Sequence, residues 1–202
     1  LIEEEFRHCT KVLRHVTGET IHLTDGKGKL VQASISEFQK NKLIAQVIKT
    51  EWIEKPAFST HLYIAPTKQM ERMEWMVEKC CEIGVQSITF IKTMNAERPI
   101  VKLDRLKKKA LSALKQSKGT WMTEINEMIS FEKAVSETKG DQKMIAAVLP
   151  ELDHFVTHLK PLQSVDLFVG PEGDFTKKES EIAISKGLVP VNLGRKVLRT
   201  ET

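Results

Sequence analysis

Two short segments in the last third of the chain have the residue types of a ligand cradle. Phe168-Val169-Gly170-Pro171-Glu172-Gly173-Asp174-Phe175 is followed about twenty residues later by Val191-Asn192-Leu193-Gly194-Arg195-Lys196-Val197-Leu198-Arg199-Thr200-Glu201-Thr202. Each reads as a buried strand opening into a glycine loop. Glycine at such a place lets backbone come close to a ligand or take up φ > 0. Neither segment is a phosphate loop: no Gly-Lys-Ser/Thr follows, and the G-x-G-x-x-G dinucleotide pattern is not met. The chemistry implied is recognition of a phosphate-free molecule by main-chain amides and carbonyls. A strand-to-helix turn with Gly and Pro is also ordinary structure, and it is the second loop that strengthens the ligand reading.

A basic run is the other chemical feature. Lys102, Arg105, Lys107, Lys108, Lys109, Lys115 and Lys118 stand against one acid, Asp104. A solvated helix face is the plain reading of such a run, and an anionic partner such as RNA is the functional one. His154 and His158 share an i, i+4 spacing but lack a third ligand nearby, and no other histidine pair has metal spacing. Cys9, Cys80 and Cys81 form no disulfide framework and read as reduced, buried thiols, consistent with the cytoplasm. No metal is expected.

The elements that must position these residues follow from pattern. The 202 residues carry a net charge of +4, with 41% apolar and 29% charged residues, enough for a packed core under a polar surface. The longest apolar runs are far too short to span a bilayer, and no signal peptide opens the chain. Residues 1–57 read as β-rich: a short helix across His8 to His15, a hairpin around Asp25-Gly26, and a strand near Leu43 to Ile48, together a small barrel. Glu54-Lys55-Pro56-Ala57 reads as the linker. From residue 58 to 202, strands alternate with helices. Strands are expected at Leu62–Ala65, Ser87–Ile91, Met144–Leu149, Val165–Val169 and Val189–Leu193. Helices are expected at Gln69–Ile83, at Lys102–Gln116 and after the Thr176–Glu179 capping box, ending at Gly187. This is an α/β domain with a parallel sheet and helices on both faces.

The ordered set of segments resembles the RsmE-type ribosomal RNA methyltransferases of the SPOUT class. GPEG at 170–173 and LG-x-x-VLRTET at 193–202 carry the resemblance most strongly. Lys68-Gln69-Met70-Glu71-Arg72-Met73-Glu74, with Lys79 and Glu82-Ile83-Gly84-Val85, resembles the family's K-M-E…K…ELGV stretch, with Arg72 where Lys is common. Glu97-Arg98 with Lys102 resembles its S-E-R-x-x-x-K segment, and Gln116-Ser117-Lys118 its Q-S-x-R segment. His8-Cys9 with Lys11-Val12-Leu13-Arg14 resembles the opening of its PUA-like RNA-binding barrel. Asp174 stands where the family usually has Gly, and Arg195 where it often has Pro.

The resemblance implies a knotted SPOUT domain over 58–202 behind a PUA-like barrel over 1–57, with a front barrel strand and a knot-threading final helix outside these residues. It implies S-adenosylmethionine as cofactor, held by Leu149, Pro150, Gly170, Pro171, Glu172, Gly173, Leu193, Gly194, Val197 and Leu198. It implies an RNA surface of His8, Lys11, Arg14, Arg98, Lys102, Gln116, Ser117 and Lys118, small-subunit (16S) ribosomal RNA as substrate, and a homodimer. The implied reaction is methylation of uridine N3. A proton must leave N3, and a general base or a cation on the uracil oxygens would help. Arg199, Glu201 and Arg98 are the candidates. A SPOUT enzyme with another target atom and a non-catalytic RNA-binding module are the rival readings.

Overall fold

A computed structural model describes residues 1–96, 100–147, 152–158 and 164–202. The chain divides into two compact units, Leu1–Lys55 and Pro56–Thr202.

In the first unit a short helix, α1 (Glu3–Arg7), runs into a π-helical turn at His8–Val12. The helix therefore starts and ends earlier than the expected His8 to His15. Three glutamates occupy its first turn, where the helix dipole favours negative charge. The left-handed φ of +55° at Arg14 rules out helical continuation there. Strands β1 (Thr20–Thr24), β2 (Lys29–Gln39) and β3 (Lys42–Trp52) form an antiparallel sheet in that order. The β1–β2 turn is held by the Asp25 carboxylate, which accepts from the amides of Lys27 (2.7 Å) and Lys29 (3.2 Å). Cys9, Ile21, Ala33, Ile35 and Leu43 are its buried core. Among the described residues this unit is a three-stranded sheet with one helix. Val47 and Ile48, read as strand interior, are both 58% exposed on the edge strand.

The second unit is a six-stranded, wholly parallel sheet of order β6-β5-β4-β8-β7-β9. The strands are β4 (Ser59–Ile64), β5 (Ser87–Lys92), β6 (Glu124–Ser130), β7 (Gln142–Ala146), β8 (Ser164–Val169) and β9 (Val189–Val191). Helices α2 (Met70–Glu82) and α3 (Leu103–Gln116) pack on one face through Met73, Val77 and Leu106 against Ile88 and Phe90. Helices α4 (Phe131–Glu137) and α6 (Lys177–Ser185) cover the other face through Phe131, Ala134, Val135 and Ala183 against Ile91, Ile145 and Phe168. The alternation is visible within β8: Leu167 and Val169 face the first cluster, Phe168 the second. Phe168 stacks on Tyr63 at 4.4 Å between ring centroids and meets Phe131 edge-on at 6.2 Å.

β6 and α4 are two elements that no pattern announced. β6 is an edge strand in which only Ile125 is buried, so its hydrophobic signal is weak. α4 is seven residues long and depends on its cap, Ser130 Oγ accepting from the Lys133 amide at 3.2 Å. A four-residue helix, α5 (Phe155–His158), also precedes β8. β9 stops at Val191, two residues short of the expected end, because Asn192 turns to a different set of partners, described below.

Candidate active site

Every strand of the second unit is parallel, so the loops after β4, β5, β7, β8 and β9 emerge on one edge of the sheet, the edge at which open α/β sheets bind ligands. The two glycine loops leave β8 and β9. One strand, β7, lies between these, so the loops rise about 10 Å apart at ordinary strand spacing.

The first loop is locked from below. A Cβ on Gly170 would stand 3.1 Å from the Phe175 ring and 3.2 Å from its amide, so packing requires glycine there. The Asp174 amide donates to Pro171 O at 2.9 Å and closes the turn. Asp174 adopts a left-handed φ of +58°, a conformation that Asp and Asn tolerate best after Gly. This explains how Asp stands where glycine is usual. The Asn95 side chain, in the loop after β5, donates to Gly173 O (3.2 Å) and Asp174 O (3.0 Å). Glu179 is 3% exposed and completes the clamp. One carboxylate oxygen accepts the Met94 amide at 2.8 Å, and the other accepts the Thr176 amide and hydroxyl, each at 2.8 Å. The capping box of α6 thus doubles as a tie between the β5 and β8 loops.

The second loop is locked by Asn192. Its side chain donates through Nδ2 to Leu152 O, while its Oδ1 accepts the Gly194 amide at 3.1 Å. Its backbone pairs with residues 153–155, through Asn192 N to Asp153 O (3.1 Å) and Phe155 N to Asn192 O (3.0 Å). Gly194 has φ +130°, and a Cβ there would meet nothing nearer than His154 Nε2 at 4.0 Å. The glycine is required by conformation, and the space beside it is open. Beyond it Val197 is 86% exposed and Leu198 44% exposed. The chain then turns at 199–202, where the Thr202 amide donates to Arg199 O at 2.9 Å.

Arg199 and Glu201 differ sharply in this turn. The Arg199 side chain is 71% exposed, whereas the Glu201 side chain is 8% exposed and directed at α2, with Oε1 3.4 Å from Arg72 Nε. Leu149 and Pro150, expected cofactor contacts, and Arg98, expected at the target base, lie outside the described residues, as does Glu97. Pro171 and Gly170 are buried; Glu172 and Gly173 are exposed; Leu193 is half-buried.

The expected RNA-facing residues His8, Lys11 and Arg14 are exposed on the first unit, and Lys102, Gln116, Ser117 and Lys118 are exposed at the two ends of α3. The basic run between them is partly spent within the fold. Arg105 pairs with Glu74 and Lys109 with Glu78, both across to α2. Lys109, with Lys79, holds the Glu78 carboxyl below the usual carboxylate range. Lys107 and Lys108 stay exposed. Cys80 and Cys81 are half-buried; burial pushes the Cys80 thiol up to about 12 and raises Cys81 in the same direction, which disfavours the reactive thiolate. Among the described residues no group of three His, Cys, Asp or Glu side chains is placed to hold a metal, and no helix is long and apolar enough to cross a membrane.

Asn95 and Asn192 have structural parts at this site that no motif announced. Asn95 and Asn192 are single side chains bridging segments distant in sequence, and nothing local signals such a contact.

Comparison with known proteins bears on this edge of the sheet. Residues 54–202 match a family described as RNA methyltransferase domain, and residues 1–48 a family described as RNA methyltransferase PUA domain. The chain is 28% identical over 218 residues to ribosomal RNA small subunit methyltransferase E of Bacillus subtilis, covering 98% of this chain and 83% of that protein. The crystal structure of a probable rRNA-methyltransferase from Porphyromonas gingivalis is similar with a TM-score of 0.90 at 36% identity, over 98% of this chain and 85% of that one. A ribosomal RNA small subunit methyltransferase E from Neisseria gonorrhoeae, solved bound to S-adenosyl methionine, is similar with a TM-score of 0.88 at 28% identity, over 100% of this chain and 85% of that one.

Proposed function

This chain belongs to the RNA methyltransferase family in which a PUA domain precedes the methyltransferase domain, and we propose that it transfers the methyl group of S-adenosylmethionine to N3 of a uridine in small-subunit (16S) ribosomal RNA. The observation that carries the reading is the pair of glycine loops at the carboxyl ends of β8 and β9, each fastened by an asparagine side chain, in a chain whose fold matches a protein solved with that cofactor. The cradle suits the ligand. It is built of backbone, about 10 Å across, with open space beside Gly194 and no phosphate loop. Gly170–Gly173 and Leu193–Leu198 would hold the cofactor, with Leu149 and Pro150 completing the wrap in the family's trefoil knot.

When bound, the cofactor supplies an electrophilic methyl on a sulfonium. The protein's task is alignment and a nucleophilic nitrogen. Uracil N3 bears a proton at neutral pH, and negative charge grows on the flanking carbonyl oxygens as that proton passes to solvent water. Arg199, whose side chain is exposed after the second glycine loop, is the residue we assign to stabilise that charge, with Arg98 as the second candidate. A paired target base must first leave its stack. The protein acts as a homodimer in the cytoplasm, where the basic residues of one subunit serve the cofactor site of the other.

The test is transfer of labelled methyl from S-adenosylmethionine to small-subunit ribosomal RNA, free and in assembled particles, followed by nucleoside analysis. The label is expected in N3-methyluridine. Label in a ribose 2′-O or a guanosine nitrogen would reassign the target. Absence of cofactor binding to the full-length protein would make it an RNA-binding module.

The ion pairs of α3 sharpen the RNA surface. Exchange of Lys107 and Lys108 for glutamine is expected to weaken RNA binding and reduce the log-log salt slope by about 1.4, two contacts at ~0.7 each for a single strand. Lys109→Gln leaves the slope unchanged, because that lysine already serves Glu78. Binding isotherms at several salt concentrations check both. An unchanged slope in the Lys107/Lys108 double variant would make those lysines a solvated face only.

A further inference from the structure

We infer that Arg72 and Glu201 form a latch that positions the second cofactor loop, with Arg72 acting through Glu201 as a positioning residue; this rests on the methyltransferase reading above. Glu201 lies seven residues past Gly194, at the end of the segment that would close over the cofactor. It is the acid in the 199–202 turn and a natural candidate for taking the N3 proton. Its burial argues otherwise. The side chain is 8% exposed, and Oε2 is fully covered with no hydrogen-bond partner. A carboxylate this covered cannot meet a proton on RNA. Oε1 lies 3.4 Å from Arg72 Nε and 3.9 Å from Arg199 Nη1. Arg199 is 71% exposed and Arg72 is 30% exposed, so Arg72 is the better-held cation of the two.

The placement explains what the pair does. Arg72 lies in the first turn of α2, whose Met70, Met73, Met76 and Val77 are buried in the main core. It is therefore anchored to the rigid part of the unit. Residues 195–199 are all exposed and make no strand or helix. Without a tie at its far end, that stretch would be fixed only at Asn192 and Gly194. The ion pair supplies the second tie and holds both Val197-Leu198 and the Arg199 guanidinium at the carboxyl edge of the sheet. A carboxylate moved from water to such a site is retained only with a compensating cation.

The test uses full-length protein carrying Arg72→Gln, Arg72→Lys, Glu201→Gln and the Arg72→Gln/Glu201→Gln pair. Three readouts are taken: calorimetric affinity for S-adenosylmethionine, amide exchange over 195–202, and methyl transfer at saturating cofactor. Arg72→Gln and Glu201→Gln are each expected to weaken cofactor binding about fivefold and to speed exchange across 195–202. The double variant should be no worse than either single one, because groups acting as one unit are not additive. Arg72→Lys should recover most of the loss. Full loss of methyl transfer in Glu201→Gln with cofactor affinity and exchange unchanged would overturn the latch and make Glu201 a proton acceptor. Additive losses in the double variant would also overturn it. If Arg72→Gln does not fold, Arg72→Lys and Glu201→Gln decide by the same criteria. If wild-type protein binds no cofactor, the methyltransferase reading fails separately, and the exchange data alone still support or refute the tie.

Discussion

Arg199→Ala lowers the rate of methyl transfer at saturating cofactor by a factor of about 10²–10³, the usual loss when a group stabilising developing oxyanion charge is removed. Its affinity for S-adenosylmethionine stays within about twofold of wild type, since the principal partner of Glu201 is Arg72 and that contact survives. Of the two ionisable residues in the 199–202 turn, Arg199 alone has its charge in solvent at the carboxyl edge of the sheet, where an incoming base would lie. Arg199→Lys should recover only part of the rate, because a single ammonium cannot reproduce a planar fork of donors. Single-turnover kinetics with small-subunit ribosomal RNA is the measurement. A rate within threefold of wild type would remove Arg199 from the reaction.

The second large effect is on the cofactor cradle. Gly194→Val is expected to weaken S-adenosylmethionine binding at least tenfold, about 1.4 kcal/mol. Gly194 sits at φ +130°, a region closed to a β-branched residue, so valine forces the backbone to rotate. Rotation breaks the bond from its amide to Asn192 Oδ1 and displaces the loop that follows. The fold itself should be little affected, because the nearest atom to a new Cβ is His154 Nε2 at 4.0 Å and no core side chain is met. Gly170→Val would be a poorer probe: there the conflict is with Phe175, so loss of binding could not be separated from loss of packing. Calorimetric titration with a melting curve as control distinguishes the two. Unchanged affinity in Gly194→Val would contradict the cradle.

What could be read from the amino acids alone follows how local each signal is. α2 is legible because Met73, Met76 and Val77 recur at helical spacing and Gly84, at φ +81°, stops the chain. α6 is legible from Thr176 and Glu179, and the structure shows both halves of the capping box. The glycine loops are legible as loops. β6 and α4 are not, since an edge strand with one buried residue and a seven-residue helix present too little apolar periodicity. The fastenings of the site are not legible either. Asn95 reaches a loop 78 residues away, and Glu179 reaches Met94 across 85 residues, contacts that exist only because parallel topology brings those strand ends together. The same holds for charge. Lys107, Lys108 and Lys109 look equivalent in sequence, yet the helix periodicity turns Lys109 toward Glu78 on α2 and leaves the other two outward. Glu201 looks like a free acid after a cofactor loop, and only the three-dimensional path shows that its carboxylate is covered and committed to Arg72.

Transfer of a methyl group to uridine N3 in ribosomal RNA is tested most directly by mass spectrometry of nucleosides from small-subunit ribosomal RNA of cells with and without this protein. The account predicts that N3-methyluridine disappears when the protein is absent, returns when the wild-type protein is restored, and does not return to its full level with Arg199→Ala. Small-subunit ribosomal RNA with the same N3-methyluridine content in both cells would contradict it.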